Sequence, residues 1–348
     1  MGSTRRRSTI CNRPSLPLPI SRRGRARVPL RSLEERRPMR ALLVGGAGFI
    51  GSHLARRLFA EGWEVHVLLR PDSDGWRLAT LPGVTQHRLA LSNGPALQAC
   101  IKDSAPTHIF WLVGNTAWRH DGAVTQAGAS VETLEGFLAL LEAAARTGRP
   151  PQMVVRTGSI AEYGAQAVPF REDQRERPLT AYAASLTAAT YYAQALARNL
   201  PFPIVTARLA LVYGPGQAAD FLVPALIGAC IAGRPIILSR PTDRRDLIHV
   251  GDAVDALLCI AESNVRGGTI LNVGSGTDVA VGDLADRVVG LTGANPQLVR
   301  RETIDDPVTL RLAVEALAMN LGWRARIMLD DGLERTISAV RASKAVQA

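Results

Sequence analysis

The sequence predicts an α/β fold built on a doubly wound parallel sheet, with a smaller α/β unit towards the C-terminus. Three observations carry this expectation. Short apolar strands alternate with helix-length segments from residue 39 to residue 210. A glycine-rich turn joins the first strand to the first helix. Past residue 210, further helix and strand segments interrupt that alternation.

The first strand covers Ala41–Val44 and the first helix Phe49–Ala60, where Ile50, Leu54 and Leu58 form an apolar stripe at i+4 spacing. Val65–Leu69 is a second strand, Gly83–Leu89 a third and Pro106–Gly114 a fourth. Val131, Leu134, Leu138, Leu141 and Ala145 recur at 3,4,3,4 spacing on a long helix, and Pro151–Ser159 is a fifth strand. "LTAYAASLTAATYYAQAL" (Leu179–Leu196) is an alanine-rich helix that Thr180 can cap. Phe202–Ala210 then reads as a strand. "FLVPALIGACIAGRPIIL" gives a helix and a strand outside the main sheet, and Gly268–Gly276 returns to it. The expected organisation is a main domain over 39–210, rejoined by 245–275, and a substrate domain over 211–244 and 276–340.

The turn after the first strand holds Gly45, Gly48 and Gly51 and also fits G-x-G-x-x-G from Gly46. Glycines allow a tight turn and close approach of backbone to a pyrophosphate, and Gly51 lets the helix pack on the sheet. The helix start at Phe49 and Ile50 supplies N–H donors to phosphate. Placed between an apolar strand and an amphipathic helix, this turn marks a dinucleotide-binding Rossmann domain. The second strand ends in Arg70 rather than an acid, which favours the 2′-phosphate of NADP(H) over the ribose hydroxyl of NAD(H).

The chain of 348 residues is 47% apolar and 21% charged, as in ordinary globular enzymes. Its net charge of +10 resembles a nucleic-acid signal until it is located. Residues 1–38 carry 11 arginines and two glutamates; removing them from 41 basic and 31 acidic residues leaves 30 and 29. The basicity belongs to an Arg-rich leader with no periodicity, expected to be disordered, and nucleic-acid binding is not expected of the fold. No apolar run is long enough for a membrane span. Four cysteines without CxxC or metal spacing suit reduced thiols in a cytoplasmic protein and give no metal site.

"VGGAGFIG", "GSIAEYG", "LALVYGPG", "RRDLIHVGDAVDAL", "LNVGSG" and "LGW…LDDGLERTI" occur in one order. In that order they resemble the extended short-chain dehydrogenases/reductases that act as nucleotide-sugar epimerases, dehydratases and reductases, over residues 39–337. The resemblance implies that Ser159 hydrogen-bonds the substrate carbonyl or hydroxyl and that Tyr182 is the acid/base. It implies that Arg245, beside Asp246, contacts the nucleotide diphosphate, with Arg301 or its neighbour Arg300 as a further phosphate contact. It also implies a homodimer through the long helices Val131–Arg146 and Thr180–Arg198.

The departures are informative. Where the family carries a lysine, one turn beyond Tyr182, this chain has Leu186. Where the 4,6-dehydratases carry an acidic pair, Ile160 and Ala161 follow Ser159. The aspartate that commonly contacts adenine is replaced by Ala90. A nearby cation lowers an acid's pKa by roughly 1–3 units. Without one, a phenol of pKa ~10 is ionised in about one molecule per thousand at neutral pH. Such a phenol protonates an alkoxide but is a poor base for oxidising an alcohol. The expected activity is therefore NADPH-dependent reduction of a keto-deoxy sugar nucleotide. A nucleotide-sugar epimerase and a catalytically silent NADP-binding protein are the alternatives.

Overall fold

The computed structural model describes residues 39–114, 123–303 and 306–347. The Arg-rich leader lies outside the described residues. In chain order the first half contains β1 (Arg40–Val44), α1 (Phe49–Ala60), β2 (Glu64–Leu69), β3 (Thr85–Arg88) and α2 (Gly94–Ser104). It continues with β4 (His108–Trp111), α3 (Ala123–Ala145), β5 (Met153–Ser159), α4 (Ala181–Leu196) and β6 (Ile204–Leu209).

The second half is made of shorter pieces. They are β7 (Leu211–Tyr213), α5 (Leu222–Ile231), β8 (Ile236–Leu238), β9 (Arg244–Arg245), β10 (Leu247–His249), α6 (Val250–Ala261) and β11 (Ile270–Val273). After these come β12 (Val279–Ala280), α7 (Val281–Thr292), β13 (Val299–Arg301), β14 (Thr309–Leu310), α8 (Glu315–Leu321) and α9 (Leu329–Gln347).

Seven strands form one sheet in the order β3-β2-β1-β4-β5-β6-β11, and every neighbouring pair is parallel. Parallel strands covered by helices on both faces must be apolar on both faces, and β1 is: Ala41 to Val44 are all fully buried. Period-2 alternation divides these side chains. Ala41 and Leu43 join a core with Leu54 and Leu58 of α1 and Val254 and Leu257 of α6. Leu42 and Val44 join the opposite core with Leu97 of α2, Phe137 and Leu140 of α3 and Ala193 of α4. Each fully buried leucine contributes about 1.5–3 kcal/mol of transfer free energy.

The strand order reverses between β1 and β4, which makes the carboxyl ends of these two strands the switch point at which such sheets bind ligands. The chain after β6 builds three small sheets, β7 with β10, β9 between β12 and β14, and β8 with β13. A third apolar cluster, including Leu226, Leu284, Val288 and Leu333, joins α5, α7 and α9.

Two readings of α3 change. The helix begins at Ala123, eight residues before the apolar repeat becomes visible. Its buried stripe is Phe137, Leu140, Leu141 and Ala144, whereas Val131 is 51% exposed and Leu134 and Leu138 are half-buried. The 3,4 repeat thus marks the edge of the buried face rather than its centre. Among the described residues, no helix is long and apolar enough to cross a membrane.

Candidate active site

The loop between β1 and α1 is tight enough to require glycine. Gly45 has φ +84°, and a Cβ there would lie 3.2 Å from the backbone carbonyl of Leu112 at the end of β4. A Cβ on Gly51 would lie 2.5 Å from the Gly45 oxygen and 2.6 Å from Gly46 Cα. Gly48 caps α1 without a side-chain acceptor, and the first turn holds no acid. The N–H groups at Phe49 and Ile50 therefore stand at a helix start whose own first turn offers no carboxylate, the arrangement that suits an anion. A cradle that any Cβ would fill, ending on such a helix, fits the pyrophosphate of a dinucleotide. Arg70, just past β2, has an 82% exposed side chain, and its Nε lies 3.8 Å from Asp72.

Ser159 and Tyr182 come together beside this loop. Ser159 ends β5 and caps a single 3₁₀ turn, Ile160–Glu162, accepting from the Ala161 N–H at 3.2 Å. Its own N–H donates to Glu162 Oε1 at 2.9 Å, closing a capping box. Tyr182 lies in the first turn of α4, which Thr180 caps through the Ala183 N–H at 3.1 Å. The Ser159 side chain hydrogen-bonds the phenol. A Cβ built on Gly114, past the end of β4, would lie 3.8 Å from Tyr182 Oη. Both hydroxyls thus sit at the carboxyl ends of β4 and β5, next to the glycine loop.

Removal from water pushes the Tyr182 phenol up to about 12, and the negative charge of Glu162 adds to the rise. The positive charge of Arg156 and the Ser159 hydrogen bond pull the other way. Tyr182 is consequently a neutral phenol across the physiological range.

Beneath these two residues lies a buried charge network that the sequence reading does not single out. Arg156 on β5 is fully buried; its Nη2 donates to the Leu186 carbonyl at 2.7 Å and its Nη1 to Thr190 Oγ1 at 2.9 Å. Thr190 Oγ1 donates to Glu162 Oε2 at 2.7 Å, and Arg208 Nε on β6 donates to the same oxygen at 3.1 Å. Arg208 also pairs with Glu176 and stacks over the Tyr163 ring at 4.6 Å. A Cβ on Gly158 would fall 2.3 Å from Glu162 Oε1, so glycine there lets the carboxylate reach the strand end. Arginines inside the apolar runs of β5 and β6 are the available signal: a charge buried in a parallel strand needs a partner.

The remaining site candidates stand on the smaller sheets. Arg245 on β9 donates to Asp243 Oδ2 at 2.6 Å and to the Val308 carbonyl at 2.7 Å. Its partner is not the adjacent Asp246, which accepts from the Ser275 N–H, the Ser275 hydroxyl and the Leu312 N–H. Arg301 on β13 is paired with Asp286 of α7 and lines a cavity of about 410 Å³ shared with Asp283 and Glu302.

The NAD dependent epimerase/dehydratase family matches residues 41–274. A dTDP-glucose 4,6-dehydratase of Streptomyces niveus is 26% identical over 328 residues, covering 88% of this chain and 94% of that protein. A UDP-glucose 4-epimerase of Mycolicibacterium smegmatis is 29% identical over 325 residues, covering 87% and 99%. The crystal structure of a Thermus thermophilus UDP-glucose 4-epimerase in complex with NAD superimposes with a TM-score of 0.75 at 27% identity, covering 88% and 100%.

Proposed function

Because the chain belongs to the NAD-dependent epimerase/dehydratase family and is a nicotinamide-dependent nucleotide-sugar enzyme, we propose that it reduces a keto-deoxy sugar nucleotide at the expense of NADPH. The observation that carries this reading is the protonated phenol of Tyr182. Removal from water and the neighbouring Glu162 raise its pKa, Leu186 stands where a lysine would lower it, and the phenol keeps its proton at neutral pH. Tyr182 is therefore poised to give a proton to a carbonyl oxygen and not to take one from an alcohol.

When bound, the reduced cofactor supplies hydride to the carbonyl carbon. Ser159 orients and polarises the carbonyl through its hydroxyl, and Tyr182 Oη delivers the proton to the carbonyl oxygen. Gly45, Gly48, Phe49, Ile50 and Gly51 cradle the pyrophosphate, and Arg70 meets the 2′-phosphate. Arg245 and Arg301 approach the diphosphate of the substrate, each releasing an aspartate to do so. Elimination of water across the sugar ring is disfavoured. Ile160 and Ala161 carry no acid, and Glu162 is turned onto Arg208 and the Ser159 N–H.

Epimerisation is the second reading, favoured by the full-length similarity to the Mycolicibacterium epimerase. The exposed Val131 of α3 and Tyr191 and Tyr192 of α4 support pairing of two copies across these helices.

The test is to mix purified protein with NADPH and a panel of 4-keto sugar nucleotides and follow NADPH absorbance. Loss of absorbance with at least one keto sugar supports reduction. No loss with any of them, together with interconversion of nucleotide-sugar epimers, would assign the epimerase.

A further inference from the structure

The layer between the sheet and α4 holds a cation whose place folding alone does not explain. Arg156 is fully buried, and among the described residues no carboxylate pairs with it directly. Glu162 is reached only through Thr190 Oγ1, while Arg208 binds Glu162 itself. The Nε of Arg156 is buried without a hydrogen-bond partner. A buried guanidinium lacking a direct counter-ion is costly to desolvate, and a well-packed apolar residue in a strand is not. Both terminal nitrogens are fixed on α4, at Leu186 and Thr190, one and two turns beyond Tyr182. Leu186, the residue whose carbonyl is bound, presents a buried apolar side chain, so the charge comes from β5 and not from α4.

We propose that Arg156 is a positioning residue of the active site, whose guanidinium, held on the backbone of Tyr182's own helix, stabilises the negative charge that Tyr182 develops as its proton leaves. This rests on the reading of Tyr182 as proton donor. In that step the phenol O–H bond breaks and the proton passes to the carbonyl oxygen, as the carbonyl carbon accepts hydride from the reduced nicotinamide cofactor. Tyr182 is left as phenolate, and solvent returns its proton.

The charges around the phenol are of both signs. Glu162, in the turn after β5, opposes ionisation of Tyr182; Arg156 on β5 and the Ser159 hydroxyl favour it. Arg156 in turn faces Glu162, Arg208 of β6 and Tyr182, and its guanidinium lies 5.6 Å from the Phe137 ring centroid of α3. Burial lowers the guanidinium from its usual range while Glu162 and Tyr182 raise it, and an arginine stays charged throughout. Glu162 and Arg156 therefore act on Tyr182 as an opposed pair. Removing Arg156 takes away the charge that favours ionisation of Tyr182 and leaves that of Glu162, itself paired with Arg208, which opposes it.

The experiment reads the phenol itself, without cofactor or substrate. A difluorotyrosine placed at position 182 ionises well below tyrosine, and fluorine NMR follows its titration. Arg156→Gln is expected to raise the midpoint by about one unit or more, whereas Arg156→Lys, which keeps the charge, shifts it by a fraction of that. An unchanged midpoint in a folded Arg156→Gln protein overturns the proposal, as do equal shifts in the Gln and Lys variants. Should Arg156→Gln not fold, the double variant Arg156→Leu with Leu186→Lys moves the cation from strand to helix. It is expected to titrate near the parent, and a midpoint a unit or more higher overturns the proposal. Because no turnover is involved, the titration tests Arg156 even in a protein that reduces no keto sugar.

Discussion

Arg156 Nη2 lies 2.7 Å from the carbonyl oxygen of Leu186, tying a cation on β5 to the helix position one turn beyond Tyr182. The phenol above it is therefore not in a neutral setting. It feels the opposed charges of a buried carboxylate, Glu162, and a buried guanidinium, Arg156, and removal from water dominates the balance. The outcome is a phenol that keeps its proton, the state that the proposed reduction would use.

Tyr182→Phe removes the proposed proton donor and should lower kcat by about 10²–10⁴-fold. Cofactor affinity and melting temperature should stay close to the parent's. Ser159→Ala should also lose stability, because the Ser159 hydroxyl caps the 3₁₀ turn through the Ala161 N–H. A lost cap costs about 0.5–2 kcal/mol. Steady-state kinetics and thermal melts on the two variants separate the roles; equal rates for parent and Tyr182→Phe would remove Tyr182 from the chemistry.

Arg70→Asp should narrow or reverse the preference for NADPH over NADH. The Arg70 side chain is exposed and, among the described residues, meets Asp72 alone, at 3.8 Å, so the substitution disturbs little else. A charge-assisted contact to phosphate is worth on the order of tenfold in affinity. Calorimetric titration with both cofactors measures it. Equal affinities in the parent would show that Arg70 does not meet the 2′-phosphate.

Gly51→Ala places a Cβ 2.5 Å from the Gly45 oxygen, against backbone that cannot swing aside. The turn must open, at a cost of about 1–3 kcal/mol, and dinucleotide affinity should fall by at least about tenfold. A thermal melt and a cofactor titration on the same sample check both effects. Undiminished affinity would place the pyrophosphate elsewhere.

Asp243→Asn should destabilise the protein most at neutral pH. Burial alone would raise the Asp243 carboxyl, but donors from Arg240, the Val308 N–H and Arg245 outweigh it and hold the group at about 2. A folded pKa below the unfolded value stabilises above the unfolded value, near pH 4, and that gain is lost as pH falls through about 2. The contribution is on the order of 1–2 kcal/mol. The gap in melting temperature between parent and variant should therefore close as pH is lowered from 5 towards 2. A gap that stays constant would mean the ion pairs contribute nothing there.

Much of this arrangement is legible in the sequence where the signal is local. The bounds of α1 follow from Gly48 and the Glu61-Gly62 stop, and Thr180 caps α4 as its position predicts. Ser159 and Tyr182 are singled out through the family resemblance of the segments that carry them, and the structure brings the two side chains together. The charge network is not legible, because its partners lie far apart in sequence: Arg156 reaches Leu186 and Thr190 across 30 and 34 residues, and Arg208 reaches Glu162 across 46. The partner of Arg245 escapes the sequence for a simpler reason. Successive strand residues point to opposite sides, so Asp246 turns away from Arg245, while Asp243, two residues back, shares its side. Strands of two or three residues, such as β9, β12 and β14, carry too little period to be read at all.

Reduction and epimerisation differ in where the hydride finishes. NADPH carrying deuterium at its transferable position is mixed with the protein and a 4-keto sugar nucleotide, and the sugar is analysed by mass spectrometry and NMR. A reductase leaves the deuterium on the new carbinol carbon, with one NADPH consumed for each sugar reduced. An unreacted keto sugar with no loss of NADPH, beside a parallel sample in which the corresponding nucleotide-sugar alcohol is converted to its epimer without gaining deuterium, would show that the proton on Tyr182 serves a different reaction.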